Sequence, residues 1–397
     1  MVKAILSRSS WHFSGLIVGK FLSITLFVLL ARILLPDKFG QLVLFITIFQ
    51  LVTALANFGL KPWFQTRTPE LGEAVAFKLA STARFFSLYL SIVVVAVILL
   101  IYQPFPPLVS LLLLIIIIPE ALTSLAESYW ILKKRPGRVG IKNPIFFLIV
   151  FIGWATLGFA SDLPTLTALW LLASSITTIW FFPWKKLEFA NLWPFSKQHL
   201  VTLKQASAYA LLTTTGLIYS RADQLIIQFT RGFTALGIYS AAYRLLDSIN
   251  LLPQVVAENL FPEAAQPGKI SAKQLLKIEV VVGAIGATVA FALWWLSPVI
   301  VPLVLGSEYL RAVPILSILS IVLFLFFVNA PLASVVQSSR LVKKFLPFGI
   351  GNTLINVLLN LALVPIFGIM AAAWIMILTE FVGLLINLYF LKKLYAK

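Results

Sequence analysis

Nine ionisable side chains lie inside long apolar segments of this sequence, and their types and positions are the first guide to its chemistry. The segment IYSRADQLIIQFT (218–230) carries Arg221 and Asp223 among runs of Leu, Ile and Phe. A charge at the centre of a bilayer costs about 2.5–3.5 kcal/mol even on the lenient insertion scale, so such groups pair or line a water-filled cavity. The full set is Lys20, Glu120, Glu127, Arg221, Asp223, Arg244, Asp247, Glu258 and Glu380.

The charges around the opening segment admit two interpretations. Arg221 and Asp223 are about 200° apart on a helix, so they do not share a face. Asp223 precedes the next predicted turn by about nine residues and Arg244 follows it by about eleven, which predicts similar depths on antiparallel helices. In the first interpretation, Asp223 and Arg244 form a structural ion pair. In the second, one of the two arginines, Arg221 or Arg244, binds an anion while Asp223 holds a cation or a proton.

Lys20 lies about nine residues, or roughly 13 Å, beyond the predicted inner interface, which is too deep to reach water easily. It either bridges to Glu120 or faces a phosphate. Further along the chain, Asn352, Asn356 and Asn360 form an i, i+4, i+8 ladder on one helix face. Amides inside membrane spans often join helices. The alternative for the ladder is a set of carbonyl ligands for a small cation, completed by Asp223, Thr379 or Glu380.

The elements that position these residues are membrane helices. Of 397 residues, 60% are apolar and 11% are charged, against about 45–50% and 25% in soluble domains. No cysteine and only two histidines are present, which excludes a thiol nucleophile and argues against a histidine metal centre. The N-terminal apolar run is too long for a signal peptide and predicts a retained first helix.

Apolar segments of spanning length predict an all-α polytopic membrane protein with about 12 transmembrane helices, because lipid leaves no partner for an open backbone. The predicted helices lie near 10–33, 39–60, 83–102, 108–131, 140–160, 164–183, 206–229, 235–261, 279–304, 312–337, 345–366 and 369–391. A shift of 197 positions places Gly40 on Gly237 and Thr47 on Arg244. We therefore predict two six-helix lobes that are parallel repeats, an N-terminal lobe (1–195) and a C-terminal lobe (196–397).

The net charge of +17 is explained by topology. Arg32, Lys38, Arg231 and Arg311 are the basic residues of the predicted outer loops, whereas every predicted inner loop is richer in Lys and Arg. This asymmetry predicts that both termini are cytoplasmic. Membrane lipids are therefore the expected partners of the basic surface, and nucleic acid is not.

Three stretches carry a family resemblance. LARILLPDKFGQLVLFITIFQLVTALANFGL (30–60) resembles the first hairpin of polysaccharide flippases, the O-antigen (Wzx-like) and teichuronic-type exporters of the multidrug/oligosaccharidyl-lipid/polysaccharide (MOP) superfamily. The segment 219–262 is similar to their seventh and eighth helices, with an R-x-D before the turn and G-x-Y-x-x-A after it. LGSEYLRAVPILSIL and NTLINVLLNLALVPIFGIMAAAWIMILTE look like their tenth to twelfth helices.

The resemblance implies a MATE-like V shape with a central cavity, and no catalytic residue. The implied cargo is a polyprenyl-pyrophosphate-linked oligosaccharide, flipped by alternating access across the cytoplasmic (inner) membrane for lipopolysaccharide and other surface glycans. The implied partners include other polysaccharide-assembly membrane proteins. Family members use cavity cations, matched here by Lys20, Arg221 and Arg244. Some bind Na⁺ between helices 7, 11 and 12, so the Na⁺ or H⁺ coupling candidates are Asp223, Asp247, Asn352, Asn356, Thr379 and Glu380. No other metal or cofactor is expected.

Two other classes compete. A multidrug/cation antiporter of the same superfamily would present unpaired acids in mid-membrane, and Glu120 and Glu380 suit that class. A membrane-bound glycan polymerase or glycosyltransferase would need carboxylates on a sizeable outer loop. The predicted outer loops are short and their acids are few, namely Asp37, Asp162 and Glu308.

Overall fold

The computed structural model describes residues 2–133, 135–184, 197–264 and 270–396, and all regular secondary structure in these ranges is helical. The helices are α1 (Val2–Asn57), α2 (Leu60–Leu71), α3 (Glu73–Tyr102), α4 (Pro107–Leu132), α5 (Pro136–Thr156), α6 (Leu163–Phe181), α7 (Lys197–Ile249), α8 (Leu251–Ala264), α9 (Ala272–Ile300), α10 (Val313–Ser338), α11 (Val342–Phe367) and α12 (Ile369–Tyr395). A π turn (Val301–Leu305) and a 3₁₀ turn (Ser307–Ala312) join α9 to α10.

Helices α1 and α7 are each two helices joined at a break. In α1 the break is at Leu35 (φ 61°, ψ 168°), directly before Pro36, whose ring cannot continue the hydrogen-bond ladder. In α7 the break is at Gly232 (φ 81°, ψ −176°), where glycine meets no Cβ penalty. The two halves of α1 correspond to predicted helices 1 and 2, and α7 with α8 corresponds to predicted helices 7 and 8.

Nine helices in the described ranges are long and apolar enough to cross a membrane, with the joined halves of α1 counted once. Helix α7 falls outside this set because its charged and hydroxyl side chains lower its hydropathy. When the breaks in α1 and α7 are taken into account, the prediction of an all-α polytopic membrane protein with about 12 spans is confirmed.

Exposed apolar stripes mark the lipid-facing sides of these helices. On α3, Val93, Val97 and Ile101 are 42–80% exposed. On the opposite face of α3, Ser87 and Ser91 are buried. This arrangement, with small hydroxyl residues facing the protein and large aliphatic residues facing outward, is the reverse of that in a helix of a soluble protein. It is expected when the solvent is lipid.

The chain separates into two compact units by its internal contacts. One contains Met1–Leu26 and Phe45–Leu217, and the other contains Phe27–Leu44 and Ile218–Lys397. The predicted division into two six-helix lobes at residue 195 stays a prediction, and residues 185–196 lie outside the described ranges.

A short helix, α2, packs against the hydrophobic core of the first unit. Leu60, Trp63 and Phe64 are buried against α3 and α4, and the Trp63 indole donates to Gln205 Oε1 at 3.1 Å. The stretch ELGEAVAFKLA (70–80) predicts a short surface helix with a basic and an apolar face, and this prediction is wrong. Gly72 (φ 77°) ends α2 and starts α3, so 73–80 is the first part of a 30-residue helix.

Candidate functional site

A charge cluster lies on both sides of the break in α7, within the second unit. Asp223 is 4% exposed, and its carboxylate accepts from the Tyr239 hydroxyl at 2.5 Å and from the Gln224 N–H at 2.8 Å. Arg244 packs its guanidinium 4.2 Å above the Phe27 ring. The residues that the structure describes contain no Asp223–Arg244 ion pair, so that interpretation is wrong.

The rotation of the helix after the break explains the difference. Gly232 is nine residues after Asp223, and Tyr239 follows the break by seven residues whereas Arg244 follows it by twelve. Tyr239 therefore lies closer to the depth of Asp223. Arg244 is five positions beyond Tyr239, which turns it about 140° to another side of the helix.

The remaining charges of the cluster interact electrostatically with these residues. Arg221 interacts with Asp223 and with Arg244, and Asp247 interacts with Arg244. Arg221, Arg244 and Asp247 are half-buried, and Arg221 and Asp247 each make further contacts. Two guanidiniums and two carboxylates thus share one neighbourhood, whose formal charges balance.

A second polar cluster joins α11 to α12. The Asn352 amide donates to the Thr379 carbonyl at 2.9 Å, and the Asn356 amide donates to Thr379 Oγ1 at 3.1 Å. Asn360 donates to the Asn356 carbonyl at 2.8 Å. The asparagine ladder therefore joins two helices, as one of its two interpretations predicted.

Three asparagine side chains of α11 and α12 have an amide oxygen that accepts no hydrogen bond from the described residues. Within the described ranges, the buried Oδ1 atoms of Asn352, Asn360 and Asn387 have no hydrogen-bond donor. A buried carbonyl oxygen without a donor is costly, and water or a cation would satisfy it. The described residues contain no group of three or more His, Cys, Asp or Glu able to hold a metal ion, so any cation here would rest mainly on amide and hydroxyl oxygens.

Glu380 is the centre of the network that continues from Thr379. Its Oε1 accepts from the Tyr219 hydroxyl at 2.7 Å, and its Oε2 accepts from the Asn329 amide at 3.0 Å. The Asn387 amide donates to Asn329 Oδ1 at 3.2 Å. The Tyr219 hydroxyl is also 3.2 Å from Thr379 Oγ1, so Tyr219 connects α7 to both Thr379 and Glu380 of α12.

Helix α7 brings the two clusters onto neighbouring turns. Tyr219 and Asp223 are four positions apart and project from one side of the helix. Beyond the break, Tyr239 and Tyr243 stack at 6.3 Å, and Tyr243 interacts electrostatically with Arg221, Asp223, Asp247 and Glu380.

Sequence reasoning missed Tyr219, Asn329 and Asn387. Their only signal was a polar side chain within an apolar run, such as the lone asparagine in LFLFFVNAPL, and such residues are common in membrane helices.

Lys20 belongs to the first unit, where it is half-buried and has a bonded or electrostatic partner. Close packing of α1 on α5 positions it: a Cβ on Gly15 would lie 2.4 Å from the Gly140 carbonyl oxygen, and one on Gly19 would lie 3.0 Å from the Asn143 side chain. Glu120 accepts from the Ser174 hydroxyl at 2.6 Å. Glu127 lies between the ammonium groups of Lys61 (2.6 Å) and Lys142 (2.9 Å).

Solved structures of similar fold are transporters. One titled lipid II flippase MurJ, inward closed conformation, has a TM-score of 0.76 and 16% identity over 98% of this chain and 87% of its own. An inward-facing multidrug resistance MATE family transporter of the MOP superfamily has a TM-score of 0.72 and 14% identity over 98% of both chains. A MOP superfamily transporter from Pyrococcus furiosus has a TM-score of 0.63 and 15% identity over 100% of this chain and 97% of its own.

No curated protein matches the sequence. The likeness to solved structures establishes the fold, and the sequence itself establishes the family. Residues 29–314 match the polysaccharide biosynthesis protein family. This range includes both halves of α7 and its charge cluster. The chain therefore belongs to the polysaccharide biosynthesis protein family.

Proposed function

We propose that this protein flips a polyprenyl-pyrophosphate-linked oligosaccharide from the inner to the outer leaflet of the cytoplasmic membrane by alternating access, for cell-surface polysaccharide biosynthesis. Family membership supports the biosynthetic role, and the likeness to a lipid II flippase supports the class of cargo. The observation that carries the proposal is the pair of half-buried arginines, Arg221 and Arg244, within one cluster on both sides of the break in α7.

Guanidinium chemistry suits a pyrophosphate. Arginine binds phosphate oxygens with paired N–H donors that lie in the plane of the group. The guanidinium carbon of Arg244 lies 4.2 Å from the centroid of the Phe27 ring, a cation–π contact that helps to hold the side chain in place. Lys20 is the third cation that we assign to the cargo.

We further propose that transport is coupled to Na⁺ or H⁺. The coupling residues are Asp223, Asp247, Asn352, Asn356, Thr379 and Glu380. The Oδ1 atoms of Asn352 and Asn360 accept no hydrogen bond from the described residues, which supports a cation site lined by oxygen atoms on α11. Glu380 supplies a carboxylate on the neighbouring helix α12.

A multidrug/cation antiporter is the second candidate. The buried carboxylates of Asp223 and Glu380, together with the stacked Tyr239 and Tyr243, favour it, because acids and aromatic faces attract organic cations. In the described ranges, however, Asp223 already takes a hydrogen bond from Tyr239 and Glu380 from Tyr219 and Asn329, which leaves fewer acceptor sites for a drug.

Reconstituted protein distinguishes these functions. Proteoliposomes that carry a fluorescent polyprenyl-pyrophosphate oligosaccharide in the inner leaflet report its arrival in the outer leaflet by quenching. We expect flipping by the wild type. Arg244→Ala should lose at least about tenfold in rate, since a charge-assisted hydrogen bond contributes about 1.5–3 kcal/mol.

The matched control is Arg311→Ala, which removes an exposed guanidinium from the 3₁₀ turn. It should flip at the wild-type rate. Wild-type protein that moves ethidium but no lipid-linked glycan would establish the antiporter and overturn the flippase.

A further inference from the structure

A carboxylate without a hydrogen-bond donor lies on α9, a helix that carries none of the cargo or coupling residues named above. Predicted helix 279–304 begins at Glu279, whereas α9 begins at Ala272, after its N-cap Ser271. Glu279 is therefore eight residues, or roughly 12 Å, along the helix from the N-cap. Both of its carboxylate oxygens are buried, and within the described ranges neither has a hydrogen-bond partner. The residue as a whole is only half-buried.

Glu279 lies on the face of α9 that packs against α10, within the second unit. Leu275 and Gly286 are buried residues of α9, four positions before Glu279 and seven after it, so the three residues share one face. A Cβ on Gly286 would lie 2.5 Å from Phe327 Cβ of α10, and Leu275 packs in one core cluster with Val335. The carboxylate is therefore opposite the part of α10 between Phe327 and Val335.

The facing part of α10 has no donor to spare for a carboxylate. Its residues 327–336 read FVNAPLASVV, and the only polar side chains among them are Asn329 and Ser334. The Asn329 amide donates to Glu380, and the Ser334 hydroxyl donates to the Ala257 carbonyl at 2.7 Å. Pro331 has no N–H. An ionised carboxylate costs far more to bury in such surroundings than a neutral carboxyl, so this contact favours the protonated form.

Charged groups of the neighbouring elements do not compensate this carboxylate. Helix α10 and the π turn, which pack against α9, contain no ionisable residue. Lys277 of α9 itself is exposed and lies about 200° around the helix from Glu279. Tyr395 donates its hydroxyl to the Ile270 carbonyl. Helices α8, α11 and α12 reach the same core cluster, and their charged side chains at this end are exposed, namely Glu258, Glu263, Lys343, Lys344, Lys392 and Lys393. The ion pairs of the described ranges do not include Glu279.

We infer that Glu279 binds a proton in this arrangement and releases it to water during the transport cycle, so that H⁺ drives flipping. A bound proton removes the charge that the α9–α10 contact does not stabilise. Because the residue is only half-buried, rotation of its side chain can bring the carboxyl to the surface, where the ionised form is stable. The inference rests on the proposed function for its cargo and adds a proton carrier outside the coupling residues proposed there. The opposing interpretation is a carboxyl that stays protonated and serves only to pack α9 on α10.

Chemical labelling tests the proton site without any cargo. Dicyclohexylcarbodiimide enters apolar surroundings and converts a protonated carboxyl to a stable N-acylurea, which peptide mass spectrometry locates. In nanodiscs, Glu279 should be labelled in mildly acidic buffer and at least about tenfold less in alkaline buffer, since each pH unit beyond its titration lowers the protonated fraction tenfold. Glu308, which is exposed on the 3₁₀ turn, is the control and should stay unlabelled. Equal labelling of Glu279 in both buffers, or none in either, would overturn the inference.

A pH gradient tests whether this proton drives transport. In proteoliposomes with the fluorescent polyprenyl-pyrophosphate oligosaccharide, one direction of the gradient should speed wild-type flipping and the other should slow it. Glu279→Gln should fold, because glutamine has nearly the same shape as a protonated glutamate, and it should lose this dependence on the gradient. The matched control Glu308→Gln should keep the dependence. A full response to the gradient by Glu279→Gln would contradict a driving role for this proton.

The two experiments separate failure of the proton site from failure of the proposed function. Labelling of Glu279 that depends on pH, in a protein that flips no lipid-linked glycan, would retain the proton site and reject the cargo. Normal flipping by a protein whose Glu279 labelling does not change with pH, and whose Glu279→Gln variant responds to the gradient like the wild type, would reject the proton site and retain the cargo.

Discussion

Asp223 depends on Tyr239 for its hydrogen bond across the break in α7. We expect Tyr239→Phe to lower the free energy of unfolding by about 1–3 kcal/mol, because a buried carboxylate loses a donor that nothing else replaces. Thermal unfolding in detergent measures the change. Tyr243→Phe is the matched control, since its ring stacks on Tyr239 while its hydroxyl does not bond Asp223. Equal melting temperatures for Tyr239→Phe and the wild type would contradict the assignment.

Lys20 gives the second residue-scale prediction. If its ammonium meets the cargo phosphate, Lys20→Ala should abolish glycan flipping without loss of protein, and Lys20→Arg should retain part of the activity because the charge remains. The leaflet assay and the yield of folded protein are measured together. Full flipping by Lys20→Ala would leave Lys20 with a structural role in the packing of α1.

The sequence limits what can be predicted at this scale. Helical spacing identified Asp223, Arg244 and the asparagine ladder as polar groups within spans. It did not identify their partners, because Tyr239 and Arg244 follow the break by seven and twelve residues, and the packing of the helix decides which of them faces Asp223. The Tyr219–Glu380 bond likewise depends on which faces of α7 and α12 meet, and packing decides that.

At the scale of elements, Glu127 on α4 joins α2 to α5. Its carboxylate binds Lys61 at 2.6 Å and Lys142 at 2.9 Å, and Lys142 is 13% exposed. We expect Glu127→Gln to destabilise the protein by about 1.5–3 kcal/mol, because two ammonium groups lose a shared counter-ion that is 18% exposed, and the 39% exposure of Lys61 limits the effect. The stability of purified protein against heat measures this effect.

The control for Glu127 is the more exposed ion pair of Glu73 and Lys133, whose side chains are 34% and 42% exposed. The hydrogen bond to Glu73 raises the pKa of Lys133. Glu73→Gln should nevertheless change the melting temperature little, because water screens exposed pairs. A similar loss in both variants would show that burial is not the source of the stability of the Glu127 site.

Element boundaries were predictable where the chain marks them. The gap predicted between 33 and 39 contains the break at Leu35 and Pro36, and the gap between 229 and 235 contains Gly232. The failure at 70–80 has a local cause. Both sides of Gly72 are helical in propensity, and only the positive φ (77°) and extended ψ (153°) of that glycine separate α2 from α3.

For the whole molecule, the 197-residue repeat connects sequence to architecture. It was visible in Gly40 and Gly237 and in the polar stripes of Thr47 and Arg244. The structure places the equivalent breaks at Leu35 and Gly232, within the gaps between predicted helices, and shows that each has a positive φ and an extended ψ. Periodicity of this kind predicts that two copies of a helical unit exist, whereas the backbone conformation of each break requires coordinates.

Membrane orientation is the prediction that belongs to the whole molecule. Arg32, Lys38, Arg231 and Arg311 are the basic residues of the predicted outer loops, and the inner loops carry clusters such as Lys133-Lys134-Arg135. Basic residues resist translocation, so an even number of spans should leave both termini in the cytoplasm and Arg231 and Glu308 outside. Alkaline phosphatase fused after Glu308 should be active in cells, and the same reporter fused after Lys397 should be inactive, with green fluorescent protein giving the opposite pattern. Active phosphatase after Lys397 would require an odd number of spans, and one of the breaks at Leu35 and Gly232 would then not return the chain across the membrane.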